Sequence, residues 1–389
     1  MRTDRSTRRL RQAIGPLLLL VASFSASLGV VELLLRGNVI PNEYHARNEV
    51  LGDRAQSGLF LFILGDSFMA SIPGGDVVDV LYRELAPHGV GIRNAARAGT
   101  GPVQYLETLR REGARHRPDV VVLAYYVGND LHDVGCKGNL DERLAPPSPP
   151  AAWKRSYLVQ FADWWLRQRY PGRVFLHSLR RAAPAAPGGP LGPRGLADVR
   201  LAGVFPPARR PRALQAVDYE ALRRAGIPEA DLDSARAGTL NPWIVSLGVK
   251  NPNYYRDVLL LRSECAERAW DDTRRVLGLI LDEAAALGAD VLPVIFPHSL
   301  QVSTAHYALY RSWKINVDDE MLGSSRPQDL LGEFYQSRGL EPLDLLAAFH
   351  ADPGPLYRER DEHLNLRGQA LAATLIAEAV LARFGDRVR

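Results

Sequence analysis

Cysteine and lysine are both scarce in this 389-residue chain. The two cysteines, Cys136 and Cys265, stand far apart, with no CxxC pair and no other metal-ligand spacing. This argues against zinc modules and dithiol redox centres, and no metal site is expected. Lysine occurs only at positions 137, 154, 250 and 314, so arginine carries nearly all the positive charge, and the net charge is only +4. No basic stripe interleaved with aromatics is present, which argues against a nucleic-acid interface. The chain has no Walker A loop and no Rossmann glycine fingerprint, so no nucleotide cofactor is expected. A GxSxG elbow is also missing, which argues against the α/β-hydrolase fold. Long hydrophobic runs are lacking too, with one exception.

That exception is near the start. Arg2, Arg5, Arg8, Arg9 and Arg11 precede an apolar stretch from Ala13 to Leu35, long enough for the ~20 residues a bilayer core requires. Glu32 sits near its far end, where a carboxylate reaches the headgroups at modest cost. Five arginines on the near side favour a cytoplasmic N-terminus. The expectation is a basic tail (1–12), an uncleaved single-pass anchor in the cytoplasmic membrane (13–35), a linker (36–58) and a domain (59–389) that is periplasmic or extracellular. A cleaved signal peptide ending near the small residues 25–27 is the alternative. In an oxidising compartment Cys136 and Cys265 can pair, closing a long loop, or remain as two buried thiols.

Beyond the linker the pattern is α/β. "LFLFIL" (59–64) is short, wholly apolar and followed by glycine, as in a strand buried on both faces. "VGIRNA" (90–95), "DVVVLAYYV" (119–127), "DVLPVIF" (290–296) and "LEPLDLL" (340–346) have the same character. Helical periodicity lies between them, over 74–86, 102–116, 266–287 and 326–338. The last helix starts behind Asn365 as N-cap. Such alternation predicts a parallel sheet covered on both faces, with ligands at the carboxyl ends of its strands. Residues 131–258 break the rhythm as a large insertion, with the Pro/Gly-rich stretch 180–195 read as a surface loop. Its aromatic flanks, 153–170 and 241–255, are expected to pack. Lying just beyond a strand's carboxyl end, the insertion can form a lid or a specificity wall, or it can be a decoration away from the site.

Three strand ends carry polar residues: Gly65-Asp66-Ser67, Asn94 leading to Gly99, and Gly128-Asn129-Asp130. By itself Ser67 reads as the cap of the helix that follows. A serine nucleophile needs a base, and the oxyanion it generates needs preorganised donors. The Ser67 and Gly99 backbone N–H groups and the Asn129 amide are donors of the right kind. The base is sought in "DEHLNLRG" (361–368): were that segment extended, Asp361 and His363 would project to the same side, and the carboxylate would orient the imidazole. Asp66 and Asp130 read as loop braces. His298, at the tip of the fourth strand, reads either as a pocket residue or as part of a loop.

The blocks "GDSF" (65–68), "NAARAGTGP" (94–102), "RPDVVVLAYYVGND" (117–130) and "DEHLNLRG" (361–368) resemble, in order, those of the SGNH/GDSL hydrolases. They span nearly the whole predicted domain apart from the insertion. The resemblance implies a flavodoxin-like three-layer α/β/α sandwich with a parallel sheet. It also implies Ser67 as nucleophile, His363 as base, Asp361 as its orienting carboxylate, and Ser67, Gly99 and Asn129 as the oxyanion hole. The commoner family pattern sets the aspartate three residues before the histidine, where this chain has Arg360. The closer Asp-x-His spacing resembles the branch of alginate O-acetyltransferase-like proteins. The activity implied is an esterase acting on O-acyl groups of a cell-envelope or secreted carbohydrate or lipid. A polysaccharide O-acetyltransferase with the same triad and a non-catalytic glycan-binding envelope protein are the alternatives. Expected partners are the acylated substrate, the membrane and polysaccharide-assembly proteins.

Overall fold

The structure is a computed structural model that describes residues 23–34, 50–52, 54–70, 77–135, 139–145 and 218–388. Residues 23–34, taken alone, form a helix with Phe24, Val30 and Leu33 exposed. No helix among the described residues is long and apolar enough to cross a membrane. The stretch 13–22, most of the predicted linker, Cys136, and the insertion segments 153–170 and 180–195 lie outside the described residues.

The main unit is built on six strands: β1 (Val50–Leu51), β2 (Leu59–Leu64), β3 (Val90–Asn94), β4 (Val120–Tyr126), β5 (Asp290–Phe296) and β6 (Leu343–Asp344). Their order across the sheet is β1-β3-β2-β4-β5-β6. All neighbours are parallel except β1, which pairs antiparallel with β3 along the edge, Val50 opposite Arg93. The five parallel strands therefore run in the flavodoxin-like order, with the switch point between β2 and β4.

Burial explains why these runs are strands. Every residue of β2, β3 and β4 is buried, and successive side chains enter opposite layers, as the two-residue period of a strand demands. Phe62, Leu64, Val121, Leu123 and Tyr125 face one core; Leu59, Leu61, Ile63, Val120, Val122 and Ala124 face the other. Five longer helices cover the sheet: α1 (Val77–Leu85), α2 (Pro102–His116), α3 (Glu264–Ala286), α4 (Arg326–Ser337) and α5 (Leu366–Phe384). The first core takes Leu106 and Leu109 of α2 with Val276 and Ile280 of α3. The second takes Leu81 and Leu85 of α1 with Ala373 and Ile376 of α5.

Two expectations shift. The run 340–346 contributes only the two residues of β6, because a helix begins at Leu346, its N–H held by Asp344 Oδ1 at 3.0 Å. The sheet also reaches back into the stretch assigned to the linker, through β1. Of the insertion, residues 131–135, 139–145 and 218–258 are described; from Tyr219 it forms four short helices, the last running on to Leu260. It packs Leu222, Leu232, Ile244, Tyr254 and Tyr255 into the first core, as the aromatic content of 241–255 suggested.

Candidate active site

Ser67 stands just past the end of β2, in a single helical turn whose N–H of Ala70 donates to Asp66 O at 2.9 Å. The cap of this turn is Asp66 rather than Ser67: Asp66 Oδ1 accepts from Phe68 N at 2.9 Å. Ser67 is thus the first residue of a turn, where backbone N–H groups have no partner within the turn. The predicted helix at 74–86 is described from Val77 to Leu85, and its first residues lie outside the described ones.

Loops from the neighbouring strands are tied to this turn. Asn94, at the end of β3, donates through Nδ2 to Met69 O at 2.9 Å, and its Oδ1 accepts from Ala96 N at 3.1 Å. Arg97 N donates to Gly65 O at 3.0 Å. Gly99 follows with φ of +74°, a left-handed conformation that favours glycine. The side a Cβ would occupy is open space. Beyond β4, Asn129 Nδ2 donates to Asp66 Oδ2 at 3.1 Å. An amide nitrogen carries two hydrogens, so one remains for a ligand. Asn129 Oδ1 is buried with no protein partner.

The fourth contribution comes from the loop before α5. Tyr357 bridges to Leu364, and Arg358 N donates to His363 O at 2.9 Å, so that residues 358–363 form a closed loop. Asp361 and His363 meet here, but not because the segment is extended. His363 N donates to Asp361 Oδ1 at 3.3 Å, the reach of an aspartate to the backbone two residues on. His363 Nδ1 lies 2.6 Å from the same oxygen, and Nε2 lies 2.9 Å from Ser67 Oγ. With Nδ1–H donating to the carboxylate, Nε2 is free to accept the serine proton. Tertiary folding brings these groups together across 296 residues of sequence.

Electrostatics match the geometry. Burial alone would lower the pKa of His363; the Asp361 charge and hydrogen bond, aided by Glu362 and Asp66, outweigh it and raise the imidazole above 6.5. Asp66 is 2% exposed, and burial lifts its carboxyl to about 6 against the pull of Phe68 N–H, His363 and Asn129. Asp130 is fully buried and, as read from sequence, braces a loop: it accepts from Tyr105 Oη at 2.9 Å and Tyr126 N at 3.0 Å. Burial, with the nearby Asp66 charge, holds its carboxyl well above the ordinary range. His298 is also a loop residue, fully buried, its Nδ1 accepting from Leu300 N at 3.1 Å. Its burial drives the imidazole pKa down despite Glu362 nearby. Cys265 is disulfide-bonded. No group of metal-ligating residues gathers among the described residues.

Two contributors were not visible in sequence. Asn241, in the insertion, donates through Nδ2 to Asp361 Oδ1 at 2.8 Å. Glu362 accepts from Tyr255 Oη at 3.1 Å, behind the histidine. "NPW" signals a helix start at Asn241, but nothing local signals a partner 120 residues away.

Together, fold and site set a hydroxyl, an oriented imidazole and an amide donor at the switch point of a doubly wound sheet. The four sequence blocks that meet there are those in which the chain resembles the SGNH/GDSL hydrolases. No family profile and no curated protein matches the chain. Among solved structures, a lipase/acylhydrolase from Enterococcus faecalis is similar over 84% of this chain and 96% of its own, at 12% identity and a TM-score of 0.36. A mutant of an acetyl-xylooligosaccharide esterase from Geobacillus Stearmophilus is similar over 87% of this chain and 99% of its own, at the same identity and TM-score.

Proposed function

We propose that this protein is a membrane-anchored, extracytoplasmic serine esterase of the SGNH/GDSL type, acting on O-acyl groups, above all acetyl, of a cell-envelope or secreted carbohydrate or lipid. The observation that carries the chemistry is the continuous line from Asp361 Oδ1 to His363 (2.6 Å) and from His363 to Ser67 Oγ (2.9 Å). The compartment rests on the run 13–35 behind five arginines. The substrate class rests on that topology and on the family resemblance.

In the first half-reaction Ser67 Oγ bonds to the ester carbonyl carbon as its proton passes to His363 Nε2. The carbonyl oxygen gathers negative charge, which the Ser67 and Gly99 N–H groups and the second Asn129 amide hydrogen are suited to hold. Collapse breaks the bond to the alcohol oxygen, which leaves with the proton from His363. A water, or an acceptor hydroxyl, then attacks the acyl-enzyme with His363 as base, and Ser67 leaves with the proton. Asp361 stays ionised throughout and balances the imidazolium.

The test is turnover of 4-nitrophenyl acetate by the full chain, with and without oligosaccharide acceptors. Ser67→Ala is expected to abolish turnover, and Asn129→Ala to lower kcat by about 10²–10³-fold. Equal turnover by Ser67→Ala would refute the enzyme reading, and acetylated sugar in the acceptor arm would assign transfer in place of hydrolysis. A reporter fused to the C-terminus should be active only outside the cytoplasm; activity inside would refute the topology.

A further inference from the structure

The catalytic carboxylate lies in a loop with no helix or strand to set its direction, and it is 3% exposed. A buried carboxylate in such a place needs donors that both satisfy it and aim it. Its Oδ1 receives the His363 ring at 2.6 Å, His363 N at 3.3 Å and Asn241 Nδ2 at 2.8 Å. The first two come from the group being oriented. The third comes from a distant part of the chain, and Asn241 is itself 1% exposed.

Asn241 is held so that its amide has one orientation. It caps the helix Pro242–Lys250, its Oδ1 accepting from Trp243 N at 3.0 Å, which turns Nδ2 toward Asp361. Its backbone N–H donates to Arg360 O at 2.8 Å, next to the carboxylate. The insertion grips the same loop at two further points: Asp231 pairs with Arg360 at 3.2 Å, and Tyr255 Oη donates to Glu362 at 3.1 Å. Arg360 occupies the position where the commoner family pattern has its aspartate. Here that position anchors the insertion instead.

We propose that Asn241 is a positioning residue for Asp361, so that the insertion supplies part of the catalytic support rather than only a wall or lid. The inference rests on the reading of Ser67, His363 and Asp361 as an acyl-transfer triad. By donating to Asp361, Asn241 stabilises its charged form. The proton then stays on the His363 ring when the imidazolium forms. The ring is also held on line with Ser67.

A plain helix cap and a positioning residue respond differently to Asn241→Asp. Aspartate caps a helix as well as asparagine does, so a capping role alone leaves kcat unchanged. A positioning role predicts a fall in kcat of about 10²-fold at pH 8, with KM nearly constant, because the donor is lost and a like charge faces Asp361. The introduced carboxylate and Asp361 then share one proton with a raised pKa. Below that pKa the shared proton rebuilds the hydrogen bond and activity recovers. The variant therefore gains an alkaline limb that the wild-type profile lacks. The other titratable and charged groups around the pair are His363, Glu362, Asp66, His306, Tyr310 and Arg360 with its partner Asp231, and all are present in both proteins.

The experiment measures kcat and KM for 4-nitrophenyl acetate on the full chain between about pH 6 and 9, for wild type and Asn241→Asp. Wild-type kcat across that range, or a uniform loss without the alkaline limb, overturns the proposal. If Asn241→Asp loses its far-UV circular dichroism, Asn241→Ser carries the comparison: it keeps a capping oxygen but cannot span to Asp361, and wild-type kcat there overturns the proposal equally. Absence of Ser67-dependent turnover in the wild type refutes the triad reading and this inference with it, an outcome distinct from an active wild type with an equally active variant.

Discussion

At the scale of single residues, protonation states decide what the site can do. His363 must be neutral to accept the serine proton, and its pKa lies above 6.5. The kcat/KM of the full chain should therefore fall on the acid side as His363 takes up a proton, and a profile that stays flat through the imidazole range would remove His363 from the role of base. Asp66 gives a separate signal in stability. Its folded pKa of about 6 exceeds the ordinary 3.8, so between these values the folded chain holds a proton that the unfolded chain has released. The contribution to stability falls as pH rises through that window, by about 3 kcal/mol in all. Asp66→Asn should flatten the dependence of chemical denaturation midpoints on pH between about 4 and 6, and an unchanged slope would show that Asp66 is not the source.

At the scale of elements, the site depends on close approaches that only certain residues permit. Gly368 lies in the first turn of α5, where a Cβ would come within 2.2 Å of the Leu356 carbonyl oxygen. That segment also accepts Asn365 N at 2.9 Å, so it anchors the loop carrying Asp361 and His363. Gly368→Ala should push the loop away from Ser67, lowering kcat by on the order of 10²-fold and lowering the melting temperature; a variant with wild-type kcat would show that the loop is held elsewhere. On β3, Arg93 is 3% exposed and pairs with Glu112 of α2 at 2.6 Å. Burial would raise the pKa of Glu112, but hydrogen bonds from Arg93 and Arg111 outweigh it and hold the carboxyl below its usual range. Arg93→Met leaves that carboxylate without its inner partner and should cost about 3–5 kcal/mol in denaturant unfolding at neutral pH. The penalty should shrink as pH falls through the carboxylate range and Glu112 is protonated.

At the scale of the whole molecule, the disulfide at Cys265 is the one covalent staple evident among the described residues. Cys265→Ser should lower stability by about 2–5 kcal/mol in denaturant titrations, whereas a variant equal to wild type would make the bridge dispensable. The insertion has its largest consequence at this scale as well. Its described helices are packed into the core through Leu232, Ile244 and Tyr255 and fastened to the catalytic loop through Asn241. Deleting 218–260 is thus expected to damage the site and not simply to open it.

Much of this protein was legible in the sequence by itself. The limits of β2, β5 and α2, and those of β4 to within a residue at each end, follow from local patterns, because a strand buried on both faces must be apolar throughout and a helix must be periodic. Ser67 and Asn129 were legible for a related reason: strand ends converge in a parallel sheet, so polar residues there lie close together; Asp361 and His363 were legible as a closely spaced carboxylate and imidazole near the end of the chain. Other features were decided only by tertiary structure. The approach of His363 to Ser67 and the contact of Asn241 with Asp361 join residues 296 and 120 positions apart. Those partners are chosen by the packing of the folded chain, and the residues adjacent in sequence carry no trace of them.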